Sequence, residues 1–357
     1  MQKTKWEKLI EKYLFLFKDG FFELPYLSNT PELMCNSVIE NPFSKHNVSE
    51  KSISSNNAFC RGTMFYRKID DNFWLLPTYI EIKQNIIAKA VYDDNVLSNF
   101  FILSFSKFNY EFPVKNHNGT NVKLQSVCWT LYKPKTEVET YFYKNTKGRF
   151  YNIIFDKQWI DGCIIAKYFP DNKEILHLFD NEVGFYTWLD VVPEAHDIAK
   201  KISQIVQKEN NGIFNTIELQ DLCKTLILKF ITYIIAEKRL NSNNTLSNLD
   251  YSKIAKAEKM ILLHLSTPFI GVHAIAEEIN MSPSKLKADF KTVYNFSMLQ
   301  YHKEKNIVLA RQLIIKTDAK IQLIAQLTGY DSASKFSAAF KKRFNILPLL
   351  LRKSQMI

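Results

Sequence analysis

Cysteine is sparse in this 357-residue sequence, and the five present (Cys35, Cys60, Cys128, Cys163 and Cys223) stand far apart. Their number is odd, no two form a Cys-x-x-Cys pair, and none sits with histidine at zinc-ligand spacing. That excludes a disulfide framework and a small zinc module. A reducing cytoplasm is the simplest setting. No G-x-G-x-x-G, no P-loop and no G-x-S-x-G occurs, so nothing points to a bound nucleotide cofactor or to serine-hydrolase chemistry, and no cofactor is expected. Long apolar runs are missing too. The most apolar stretch, Leu222 to Ala236, is interrupted by Lys224 and Lys229 and falls short of the ~18 apolar residues of a membrane span. The N-terminus from Lys3 to Lys18 interleaves Trp6, Leu9, Ile10 and Leu14 with charged residues, which predicts an amphipathic helix and not a signal peptide. No membrane partner is expected.

Positive charge is present but unevenly placed. Residues 251–357 hold 17 Lys and Arg against 7 Asp and Glu, whereas the first 250 residues hold 30 against 29. Nearly all of the formal net charge of +11 therefore lies in the last 107 residues. One domain facing a polyanion while the other does not would produce this division.

Two patterns of hydrophobic period divide the chain. From about Asn57 to Phe155, short apolar and aromatic runs alternate with turn signals, as at Tyr79 to Ile82, Phe100 to Phe105, Val138 to Tyr143 and Phe150 to Phe155. Their two-residue period predicts strands in a small antiparallel barrel or sandwich. After Val192 the period becomes helical. Ile198, Ile202, Ile205 and Val206 mark one helix, and Leu219 through Ile235 a longer one. Their apolar stripe reads as a cover over the barrel, with dimerisation through the second helix as the alternative. The polar stretch from Asn241 to Asn248 has nothing to bury and predicts a linker. The fold class is thus α+β multidomain: residues 1–190 strand-rich with an N-terminal helix, 191–240 a helical pair, 241–250 a linker, and 251–357 all-α.

The last segment contains a repeat. Ile275-Ala276, Asn280, Leu286, Phe290-Lys291 and Asn295 correspond to Ile324-Ala325, Gly329, Phe336, Phe340-Lys341 and Asn345, with one extra residue in the second copy between Ala and Phe. The small Ala lets a second helix cross closely, and the residue four later must tolerate a left-handed turn. Ser282 before Pro283, and Asp331 or Ser332, are suited to cap the second helix of each copy. Between the copies, Ser297 to Lys316 has no helix breaker and predicts one long connecting helix. These are the parts of two helix-turn-helix units. If both enter one face of a duplex, their separation should be about one turn, ~34 Å.

Leu286 and Phe290, and Phe336 and Phe340, give each second helix one buried stripe and leave the opposite face for DNA. Ser284, Lys285, Ser334 and Lys335 lie near the helix starts, where side chains reach base edges, and are the candidate base readers. Ser337 lies on the same outer face. Lys287, Lys291, Lys341, Lys342 and Arg343 are the candidate phosphate contacts.

Residues 255–353 resemble the DNA-binding domain of the AraC/XylS-type bacterial transcription regulators. The resemblance rests chiefly on Gly329-Tyr330-Asp331-Ser332, Phe336, Ala339-Phe340-Lys341-Lys342, Phe344, Pro348 and Arg352, supported by Ala276, Ser282, Leu286, Phe290-Lys291, Tyr301, Ala310 and Leu313. Asn295 and Asn345 replace the family's usual glycines, Asn306 its usual arginine, and Leu351 its usual aromatic. The resemblance implies a sequence-specific regulator of transcription that binds double-stranded promoter or operator DNA. It further implies a first domain that senses a small-molecule effector and mediates homodimerisation, in a cupin-like barrel. RNA polymerase would be a partner of an activator. His46, His117, His177 and His196 are scattered without a His-x-His pair, so a metal-bearing cupin is not expected. A DNA-repair-type enzyme carrying the same module is the alternative; it needs a reactive residue, for which Cys35 and Cys60 are the nucleophile candidates. An architectural DNA binder would lack discrimination between sites.

Overall fold

The computed structural model describes residues 17–354 apart from 42, 114–120, 181, 190–191, 193, 209–211, 237–245 and 266. Of the amphipathic helix expected from Lys3 to Lys18, all but Phe17 and Lys18, which form a short strand, lies outside the described residues, as do positions 241–245 of the expected linker, whose last residues from Asn248 are helical. The chain divides into two compact units. One comprises the residues up to Lys107 together with Val127–Ser252, and the other comprises Phe108–Ser126 and Lys253–Ile357.

The first unit is built on strands β1 (Phe17–Lys18), β2 (Phe21–Leu27), β3 (Ser44–Asn47), β4 (Ser52–Asn56), β5 (Cys60–Phe65), β6 (Arg67–Asp70), β7 (Phe73–Ile82) and β8 (Ile86–Val91). To these it adds β9 (Phe100–Pro113), β10 (Asn121–Tyr132), β11 (Glu139–Phe142), β12 (Lys147–Asp156) and β13 (Phe185–Leu189). The four runs expected to be strands all lie in or across strands, within β7, β9, β11 and β12. Of the barrel or sandwich expected from the turn spacing, a closed barrel is not what forms. Instead the described strands make two sheets, a small one ordered β1-β2-β8-β11 and a large one running β13-β10-β9-β12-β7-β5-β4-β3, with β6 paired to β7. The physical reason is the parallel pairing of β2 with β8, Phe22 opposite Ile86 through Leu27 opposite Val91, which draws four strands into a sheet of their own. Edge strand β3 carries the exposed polar residues Lys45, His46 and Asn47, which discourage further pairing.

Alternation along β7 serves two cores. Phe73 and Leu75 point to one face and Trp74 and Leu76 to the other. The first face is sealed by helices α2 (Ala195–Val206) and α3 (Ile213–Ala236): Phe230 lies 5.2 Å from Trp129 and 5.0 Å from Trp188 between ring centroids. The helical pair is therefore a cover on the large sheet, as the stripe of Ile202, Leu226, Phe230 and Ile234 required. On the other face, helix α1 (Pro31–Ile39), capped by Thr30, packs Met34 and Cys35 against Ile53, Trp74, Leu76 and Ile154.

The helical segment comprises α4 (Asn248–Leu263), α5 (Val272–Glu278), α6 (Pro283–Tyr294), α7 (Met298–Lys316), α8 (Ile321–Leu327), α9 (Ala333–Phe344) and α10 (Pro348–Lys353). Helices α6 and α9 both end on an asparagine in the left-handed region, Asn295 at φ 60° and Asn345 at φ 56°. Among the described residues no helix is long and apolar enough to cross a membrane.

Cys35 and Cys60 are buried, and burial pushes both thiols up, Cys35 to about 12 with Glu32 adding to the rise. A raised thiol pKa leaves almost no thiolate near neutral pH, the opposite of an activated nucleophile. In a thiol titration of the folded protein with an aromatic disulfide at neutral pH, Cys35 and Cys60 should react only as fast as the fold opens, after the half-buried Cys128 and Cys163. Asn345→Ala should lower stability by about 1 kcal/mol, because an alanine Cβ is disfavoured at positive φ, while Asn345→Gly should match or exceed the native protein. Thermal or urea unfolding of the pair checks this.

Candidate nucleic-acid interface

Each second helix is set by the same local construction. In the first copy the Met281 N–H donates to the Ala276 carbonyl at 2.9 Å across Asn280, which has φ 51°. In the second, the Tyr330 N–H donates to the Ala325 carbonyl at 2.9 Å across Gly329, with φ 80°. The left-handed residue turns the chain, and the bond closes the turn over a buried alanine. Ser282 and Ser332 then cap α6 and α9, accepting from the Lys285 N–H at 3.3 Å and the Lys335 N–H at 3.2 Å. Of Asp331 and Ser332, Ser332 caps the second helix, leaving the Asp331 side chain outside it.

Burial divides α6 and α9 as the repeat predicts. Leu286 and Phe290, and Phe336 and Phe340, are completely buried. The Phe290 ring lies 4.6 Å from Tyr294, tilted by 33°, and meets Tyr301 edge-on at 5.5 Å, while Phe340 lies 4.7 Å from Phe344. On the opposite faces Ser284, Lys285, Lys287 and Lys291 are exposed on α6, and Ser334, Lys335, Lys341 and Lys342 on α9. Ser337 is half-buried. The structure thus gathers four named residues on one outer face and four on the other.

Three of the named cations are engaged by carboxylates that the sequence pattern did not assign to them. Lys285 Nζ lies 2.7 Å from Asp289 Oδ2, one turn along α6, and the Asp289 side chain is only 7% exposed. Lys335 Nζ lies 3.2 Å from Asp331, but here both side chains are open, at 70% and 85% exposure. Arg343, half-buried, turns its Nε to Glu304 of α7 at 2.5 Å and rests over the Phe344 ring. Solvent screening makes the Lys335 pair worth only ~0–1 kcal/mol, so Lys335 is readily released to another acceptor. The Arg343 bond instead ties the end of α9 to the connecting helix. The i, i+4 spacing of Lys285 with Asp289 and of Asp331 with Lys335 was the available signal for two of these pairs; the Glu304 contact spans 39 positions and carries no local signature.

The connecting helix α7 begins with a full capping box, Ser297 accepting from the Gln300 N–H and Gln300 returning to the Ser297 N–H. Tyr301, Leu309, Ala310, Leu313 and Ile314 are buried along it. Asn306, where the family pattern has arginine, is 1% exposed and pairs with the His302 ring at 3.1 Å. An arginine there could not reach a duplex without leaving this core.

Residues 275–354 match the sequence profile of the family described as Helix-turn-helix domain. Among known proteins, the chain is 35% identical over 77 residues to the HTH-type transcriptional regulator AlkR of Acinetobacter baylyi, covering 22% of this chain and 25% of AlkR. It is 24% identical over 117 residues to the Arabinose operon regulatory protein of Salmonella typhimurium, covering 33% of this chain and 42% of that protein. The match therefore spans a quarter to under a half of these relatives. Of solved structures, the C-terminal domain of AraT, a response regulator from Geobacillus stearothermophilus, is 30% identical, with 29% of this chain and 87% of that chain covered and a TM-score of 0.28. With the paired turns, caps and outward lysines in place, the segment from Ile275 to Ser354 is a helix-turn-helix DNA-binding domain of the AraC/XylS type.

Proposed function

We propose that this chain is a sequence-specific DNA-binding transcription regulator that answers to a small molecule. The observation that carries the reading is the pair of capped helices, α6 and α9, each presenting serine and lysine outward from a buried aromatic stripe. The charge division supports it, because the basic excess belongs to the part of the chain that bears these helices. Ser284, Lys285, Ser334 and Lys335 are the base readers, with Ser337 beside them. Lys287, Lys291, Lys341 and Lys342 neutralise phosphate, and Arg343, held by Glu304, contributes chiefly by positioning α9. Acting on chromosomal DNA, the protein would work in the cytoplasm, and as an activator it would also engage RNA polymerase.

Ligand response belongs to the strand-rich unit. The face of its large sheet under α2 and α3 is sealed, with Phe73, Leu75, Leu103 and Phe105 at or near zero exposure. On the other face, Leu24, Tyr26, Ala88, Ile102, Tyr132, Thr140 and Asn152 keep partial exposure, although Ile86, Ala90, Trp74, Leu76 and Ile154 are buried. Tyr26 of the small sheet packs toward Trp74 and Leu76 of the large one, and Thr140 hydrogen-bonds Tyr132. Trp74 Nε1 and Thr78 Oγ1 are buried there without a hydrogen-bond partner among the described residues. Buried polar atoms left without a partner beside partly exposed side chains are what a small ligand would complete. Self-association is supported by the first turns of α3, where Ile213, Phe214 and Ile217 are 73%, 82% and 50% exposed.

Promoter-DNA titrations in rising salt should show affinity falling steeply, with Lys342→Ala lowering the slope of log K against log salt by about 1 on specific and random duplexes alike. Lys335→Ala should cost ~1–3 kcal/mol on the specific duplex and little on the random one. Equal losses on both duplexes for both variants would sink the base-reading role. Sedimentation velocity tests self-association: Phe214→Asp should convert dimer to monomer at micromolar concentration, and an unchanged sedimentation coefficient would remove α3 from that role.

A further inference from the structure

Strands β9 and β10 are much longer than the sheet requires. The neighbour β13 reaches only Cys128 to Tyr132 of β10, yet β10 starts at Asn121 and β9 continues to Pro113. The outer part, Phe108–Ser126, belongs to the compact unit formed with the helices, so one hydrogen-bonded strand pair runs through both units. Gln125 Nε2 donates to Asn109 Oδ1 at 3.3 Å, tying the two strands together at that point.

Within the helical unit this hairpin meets the connecting helix. Tyr110 packs against the core formed by Leu265, Ile307, Leu309, Leu313, Phe336 and Phe340. Lys305 of α7 is buried, at 6% exposure, and its Nζ donates to Ser126 Oγ at 2.9 Å while lying 5.2 Å from the Tyr301 ring centroid. Tyr301 in turn donates to Glu258 of α4 at 2.5 Å. Burial pushes Glu258 above the usual carboxylate range, and Lys305 opposes that rise. A buried ammonium is costly unless its protons are accepted, so the hairpin hydroxyl helps to retain Lys305, and with it α7, in this position.

We propose that the β9–β10 hairpin is a coupling arm: docked on α7 through Ser126 and Tyr110, it holds the helix that spaces the two recognition units, so its docking and specific DNA binding are thermodynamically linked. The proposal rests on the DNA-binding reading above. Lys305 and Ser126 are positioning residues that touch no base or phosphate. Linkage is reciprocal: whatever docking does for DNA affinity, DNA must do for docking. The strands carry the effect because they are continuous hydrogen-bonded elements extending from the sheet that lines the space assigned to the effector.

The test uses the full chain and a duplex that it selects from a random pool. Hydrogen exchange of peptides covering 101–110 and 125–132 is measured with and without the duplex, for the native protein and for Ser126→Ala, Ser126→Thr and Lys305→Met. In the native protein the duplex should slow hairpin exchange by roughly 5-fold or more, the lower end of ordinary coupling energies. Ser126→Ala should lose most of that slowing and bind the selected duplex about tenfold more weakly, with random-duplex affinity unchanged; Ser126→Thr, which keeps the hydroxyl, should restore both. Lys305→Met removes the ammonium that opposes the rise at Glu258, so it should lower stability in thermal unfolding and also lose the slowing. Hairpin exchange that ignores the duplex in the native protein, or Ser126→Ala coupling like native, overturns the coupling arm. A chain that selects no duplex overturns the DNA-binding reading itself, a separate and distinguishable failure.

Discussion

Burial of the connecting helix Met298–Lys316 is the constraint on which the DNA-binding architecture depends. Both recognition helices are fastened to it: α6 through the rings of Phe290 and Tyr294 against Tyr301, and α9 through Arg343 against Glu304 and the shared core of Leu309, Leu313, Phe336 and Phe340. A helix buried on most sides cannot bend or slide without opening gaps in a close-packed interior. Whatever separation it imposes on the two outward lysine faces is therefore a property of the folded unit and not of the bound DNA. Asn306 shows how strongly packing rules here, since its amide is spent on His302 inside the core.

Electrostatics then divides the two units. Lys285 is held by a nearly buried carboxylate, Lys335 by an exposed one. Releasing an exposed pair costs little, whereas freeing Lys285 strands Asp289 in a poorly hydrated place. Lys335 is thus the more readily released of the two lysines, and Lys285 the more tightly held. The long chain of family-like residues from Gly329 to Arg352 falls on the unit that carries Lys335, where the glycine turn, the serine cap and the basic helix end all occur together.

Local chemistry is legible in the amino-acid order. The alanine, the left-handed residue four later, the serine caps and the four-residue aromatic stripe are rules of single turns and helices, and each appears where the spacing put it. So do the strands Tyr79–Ile82, Phe100–Phe105 and Phe150–Phe155, although burial alternates along only part of each because the sheet is covered on both faces. The closed barrel did not follow, because closure depends on which strands pair, and the parallel contact of β2 with β8 joins segments far apart in the chain. Of the three carboxylates on the site cations two were legible: Asp289 and Asp331 stand at helical spacing from their lysines, while Glu304 met Arg343 only once α9 had folded back on α7.

The two helix-turn-helix units, the uneven charge and the cover formed by α2 and α3 are written in the chain itself, since they follow from periodicities and turn preferences of a few consecutive residues. Tertiary packing alone settled that the sheets remain separate, that Arg343 meets Glu304, and that Ser126 receives Lys305. Those outcomes join distant segments whose burial costs are decided together. No local pattern encodes a hydroxyl placed 179 positions away from the ammonium that it receives.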